Sequence, residues 1–102
     1  MKLNQLQRYA LLDWLSKNIV NFVSMQILYD FDRFCDGEIT EWRVIPDFGL
    51  AGKIWNNCDR IYITGYSHGE LDGPDGKVYK KQQERIDKWN EELAELIGIY
   101  SI

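Results

Sequence analysis

The chain is short of the residues that punctuate structure and carry chemistry. It holds one histidine, two prolines and two cysteines among 102 residues. A lone histidine, His68, leaves no obvious partner set for acid–base or nucleophilic catalysis. Together with Cys35 and Cys58 it cannot close a Cys/His zinc site. No run approaches the ~18 apolar residues of a membrane span. Met1-Lys2-Leu3-Asn4-Gln5 is too polar to open a secretory signal. The expectation is a soluble, cytoplasmic chain with both thiols reduced and buried in apolar surroundings. No Gly-rich phosphate loop follows a strand, so neither a nucleotide nor any other cofactor is implied.

What the chain does hold is apolar and aromatic. The apolar share is 45% and the charged share 27%, a balance that suits one globular domain across residues 1–102. Four Trp, six Tyr and four Phe exceed what a chain this size ordinarily carries. Aromatic side chains fill small cores and dominate interfaces alike. The net charge of −4 argues against general nucleic-acid binding. The charges are also unevenly spread. Asp30, Asp32, Asp36, Glu38, Glu41 and Asp47 face only Arg33 and Arg43 in their segment. Lys77, Lys80, Lys81, Arg85 and Lys88 then outnumber the two acids among them. An acidic side and a basic side are expected.

The pattern predicts an α+β fold that is mainly helical. Residues 4–35 contain no Gly or Pro. Leu12, Leu15, Ile19, Val23, Ile27 and Phe31 recur at helical spacing. Asn4 and Gln7 stand as a capping box. The stretch is one long helix or a helical hairpin broken near Ser16-Lys17-Asn18. Asp36-Gly37 ends it. Thr40, Trp42, Val44 and Ile45 favour a strand that stops at Pro46. Leu50, Ala51, Ile54, Trp55 and Cys58 fit a short helix opening at Asp47. Residues 60–66 alternate as a strand, and Lys77-Val78-Tyr79-Lys80 reads as its return across a long tip. The small antiparallel sheet would then carry a long-tipped hairpin. A C-terminal amphipathic helix runs from about Lys81 to Ile97, with Gly98 as its stop.

Two local clusters hold residue types capable of chemistry. Ser67 and His68 are chain neighbours, a poor arrangement for a nucleophile and its base. Glu70, Asp72 and Asp75 crowd a glycine-rich loop, but their spacing does not match a calcium loop. Both read as a solvated hairpin tip, so no catalytic or metal-ligating residue is assigned.

Arg60-Ile61-Tyr62-Ile63-Thr64-Gly65-Tyr66, followed by Gly73-Pro74 and Lys77-Val78-Tyr79, resembles the wing of the winged helix–turn–helix proteins of phages and prophages. In that family the helix before the wing reads the major groove. The resemblance implies a DNA-binding regulator whose reading helix is the region Leu50 to Asn57, with Lys53, Asn56 and Asn57 as candidate contacts. Its salt-sensitive DNA binding would be lost when Lys53, Lys77, Lys80 and Lys81 are neutralised. The residues themselves favour a different class. Leu11, Trp14, Val20, Met25, Leu28 and Tyr29 lie off the main stripe of the N-terminal stretch. So much apolar helix needs a partner protein or a second copy of the chain to cover it. The leading expectation is a non-enzymatic protein-binding module, of the kind phages and mobile elements use to inhibit or redirect a host protein such as a nucleic-acid-processing complex. Its contact residues would be Tyr29, Asp36, Glu38, Glu41 and Trp42, aromatics anchoring and acids steering.

Overall fold

A computed structural model describes residues 1–43, 50–67 and 77–101. The fold is α+β and mainly helical, as the pattern predicts. The order is α1 (Gln5–Asn18), α2 (Met25–Cys35), β1 (Glu41–Trp42), β2 (Leu50–Asn56), β3 (Ile61–Ser67) and α3 (Lys77–Ile99).

The N-terminal stretch breaks into two helices, with α1 stopping at Asn18. They do not close on each other as a hairpin: α1 packs on α3 and α2 on β1. Their ends follow from side-chain chemistry. Asn4 Oδ1 accepts from the Gln7 backbone N–H at 2.8 Å, and Gln7 Oε1 accepts from the Asn4 N–H at 3.0 Å. This is the expected capping box. Asn18 Nδ2 turns back to the Trp14 carbonyl where α1 stops. Ser24 then caps α2 by accepting from the Ile27 N–H at 3.2 Å. At the far end Gly37 adopts φ +79°, the left-handed turn that suits glycine. The Glu38 N–H reaches the Arg33 carbonyl and the Gly37 N–H reaches Phe34, a Schellman closure.

The three strands form one antiparallel sheet in the order β1-β2-β3. Glu41 lies opposite Trp55, and Trp55 opposite Tyr62. Ile54, Ile61 and Ile63 turn inward onto Leu11 and Leu15 of α1 and Ile86, Leu93 and Ile97 of α3, in one buried cluster. Phe31 and Phe34 of α2 close on Trp42, with ring centroids at 6.1 and 5.8 Å.

Three buried or half-buried amides fasten these layers. Asn56 donates to the carbonyls of Met1 and Phe34, both at 2.7 Å, and accepts from the Met1 amine at 2.7 Å. Gln7 Nε2 reaches the Ile97 carbonyl at 3.0 Å, joining α1 to the last turn of α3. Asn90 of α3 accepts from the Ile63 N–H and donates to the Ile63 carbonyl, as a paired strand would. Each bond satisfies a group that would otherwise be costly to bury.

Several local expectations fail. Residues 50–56 are strand, although helical spacing predicted a helix. Apolar residues four apart also share one face of a strand, so Leu50 and Ile54 fit both periods. Gly49 and Gly52 weaken the helix, and pairing with β3 decides the matter. The hairpin is therefore β2–β3, turning at 57–60, where the Asn57 N–H bonds the Arg60 carbonyl. Lys77–Lys80 is not a returning strand but the first turn of α3. Gly98 lies within α3, which continues to Ile99. Among the described residues the expected strand is β1; Val44–Pro46, Asp47 and the 68–76 tip lie outside them.

Candidate functional site on the outer face of the second helix

The apolar surplus of residues 11–29 divides in two. Leu11, Trp14 and Val20 enter the core. Met25, Leu28 and Tyr29 remain in solvent beside Val23; Val23 is 75% exposed, Met25 81% and Tyr29 59%. The cause is the register of α2. Phe31, Phe34 and Cys35 share its inner face. Met25, Tyr29, Asp32 and Asp36 fall at i, i+4, i+7 and i+11, one stripe on the opposite face. That stripe grades from apolar at its start to acidic at its end. Leu6, Tyr9, Ile99 and Tyr100 are exposed as well, where the start of α1 meets the end of α3.

The acidic residues are less bare than their count suggests. Asp36 pairs with Arg8. Hydrogen bonding to that guanidinium, then burial and the charge of Arg8, set its carboxyl, and the net direction is below the usual range. Arg8 is correspondingly raised by the same bond. Glu38 lies 3.5 Å from Arg33, and Glu41 3.4 Å from Lys53. The Arg33 guanidinium also sits over the Tyr29 ring at 5.7 Å. These are partly exposed pairs, of the kind that adds little to stability.

The expected contact residues therefore separate. Tyr29 and Asp36 share the outer stripe of α2. Glu38 follows the helix, and Glu41 lies on the edge strand. Trp42 is 8% exposed and belongs to the core, so it is not a surface anchor. It lines a cleft of about 410 Å³ with Ile19, Val20, Ile27, Asp30 and Arg43. The sequence offered no signal for this, because β1 is too short to show alternation.

The residues assigned by the winged-helix resemblance do not gather on one helix. Lys53 and Asn56 stand on β2, with Asn56 buried and fully engaged. Asn57 is in the hairpin turn, donating to the Tyr62 hydroxyl at 3.0 Å. Lys77, Lys80 and Lys81 lie on the first turns of α3. Further along α3, Arg85 and Lys88 line a groove of about 620 Å³ with Lys17, Glu84, Trp89 and Glu92. The basic segment is thus interleaved with acids where it meets a concave surface.

Cys35 is buried, and burial pushes its thiol up to about 12. Cys58 is exposed, against expectation, because the residues taken for a helix end at the rim of the hairpin. His68, Glu70, Asp72 and Asp75 lie outside the described residues. No family model, curated protein or solved structure matches the chain.

Proposed function

We propose that this chain is a protein-binding module that docks the outer face of α2 into an apolar groove of a partner protein. The observation that carries the reading is the exposure of Val23, Met25, Leu28 and Tyr29 on and just before one short helix. Anchors at i, i+3 and i+4 are what helix-in-groove recognition uses. Asp32 extends the stripe, while Arg8 already pairs Asp36, so the matching groove carries a basic group opposite Asp32.

The test is photocrosslinking in the native cell. A photoreactive phenylalanine analogue replaces Tyr29, and in a control chain it replaces the exposed Glu95 of α3. Adducts with one other protein are expected from position 29 and absent from position 95. Met25→Asp should abolish them while changing stability by no more than about 0.5 kcal/mol, as surface changes usually do. Adducts only with a second copy of the chain, or adducts indifferent to Met25→Asp, overturn the reading.

A further inference from the structure

We propose that the solvent face of the sheet is a second site, one that takes single-stranded nucleic acid. This does not rest on the α2 reading. The residues that alternate away from the core are Glu41 on β1, Lys53 and Trp55 on β2, and Tyr62 and Thr64 on β3. Asn57 and Arg60 extend the same face through the turn. Trp55 and Tyr62 are direct cross-strand partners, their planes 11° apart and their centroids 6.3 Å apart. The Arg60 guanidinium lies 4.1 Å from the Tyr62 ring centroid, and Lys53 Nζ lies 5.6 Å from that of Trp55. The face is therefore a ladder of cation, ring, ring, cation.

Two features make this ladder suited to a ligand as well as to the hairpin. The polar edges of both rings are tied. Trp55 Nε1 donates to Thr64 Oγ1 at 2.7 Å, and Asn57 Nδ2 donates to the Tyr62 hydroxyl. The rings are held in place before anything binds, which removes an ordering cost. Arg60, in turn, forms no ion pair among the described residues. A guanidinium stacked on a ring still presents a second plane for a base and edge donors for a phosphate. Lys53 is shared with Glu41, so the main phosphate contact falls to Arg60.

The chemistry selects among ligands. A duplex keeps its bases inside the stack, out of reach of a flat platform. A neutral polysaccharide would use the rings and leave the cations idle. Single strands offer both unstacked bases and phosphates, the combination that such platforms bind. The net charge of −4 opposes any polyanion, so the interaction is expected to need low salt.

Fluorescence anisotropy of the full chain with a labelled oligothymidylate of roughly twelve nucleotides, within the span of one such platform, tests this. Saturable binding is expected at about 50 mM salt, weakening about threefold per neutralised phosphate by about 200 mM. Trp55→Ala should weaken it about tenfold, because it removes the ring that braces Tyr62 and so the Arg60 plane on which a base stacks. Trp55→Phe should restore most of the affinity, and Arg60→Gln should flatten the salt dependence. Tyr29→Ser should leave it unchanged. Far-UV circular dichroism checks that each variant folds; if Trp55→Ala does not, Arg60→Gln decides. The proposal falls if no binding saturates at low salt, if a duplex binds equally well, or if Arg60→Gln behaves as wild type.

Discussion

The outer face of α2 and the outer face of the sheet both present aromatic side chains, and they hold them differently. On the sheet, Trp55 and Tyr62 stack on each other, each is flanked by a cation, and each polar edge has a hydrogen-bond partner. On α2, Tyr29 has Arg33 over its ring, while Met25 and Val23 stand almost fully in solvent. The first face contributes to its own stability, because cross-strand pairs are what hold a small sheet. The second gains only when something covers it, at about 25 cal/mol per Å² of apolar surface. A fastened face suits a ligand that needs fixed geometry. A bare apolar face suits a partner that brings its own shape.

The contrast extends beneath the surface, and its largest test lies there. The sheet is clamped from below by Asn56, which is 2% exposed and ties β2 to Met1 and to the end of α2. Asn56→Leu keeps the branched shape of the side chain but removes its donors, leaving the Met1 carbonyl unpaired and the Phe34 carbonyl with only the Gly37 N–H. The expected loss is about 3 kcal/mol, the range for leaving buried polar groups unpaired. Urea denaturation measures it. A loss below about 0.5 kcal/mol, typical of surface positions, would mean that the sheet is no more firmly fastened than the α2 face.

How much of this was legible follows the same division. The ends of α1 and α2 could be read from Asn4, Gln7 and Gly37, because caps act through neighbours in sequence. The identity of residues 50–56 could not, because spacing by four satisfies both periods and the deciding partner, β3, is distant in the chain. Val78 and Tyr79 carry β propensity, yet they sit in α3, where helix continuity outweighs a weak preference. The aromatic ladder was hidden by the same error. Trp55 could not be placed beside Tyr62 until β2 was a strand. By contrast, the exposed stripe of α2 was half visible, since the surplus of apolar positions was countable, but which of them faced inward was not.

Thiol reactivity sharpens the comparison at the next level. Cys35 lies on the inner face of α2 and Cys58 at the rim of the sheet. With its thiol pushed to about 12 by burial, Cys35 is on the order of one part in ten thousand thiolate at pH 8. A disulfide reagent at that pH should modify one thiol per folded chain and two after unfolding. Two rapid equivalents in the folded protein would show that α2 lifts from the core. Its outer face would then be bare because the helix is loose, not because it awaits a partner.

The smallest effect concerns the acidic end of the α2 stripe. The Arg8 guanidinium holds Asp36 below the ordinary carboxylate range, so the folded-state value lies below the unfolded one. A depressed carboxylate contributes stability that is fully present above its unfolded value, about 3.9, and is lost as pH falls through the folded value. The thermal midpoint of Asp36→Asn should therefore sit slightly below wild type at pH 6, and the gap should close only under acid conditions below about pH 4. Arg8 stays charged throughout that window. A gap that persists unchanged to the acid limit would remove the ion pair from the account. Asp36 would then be free to steer a basic partner, and the α2 face would count as acidic along its lower half rather than as apolar with a neutralised end.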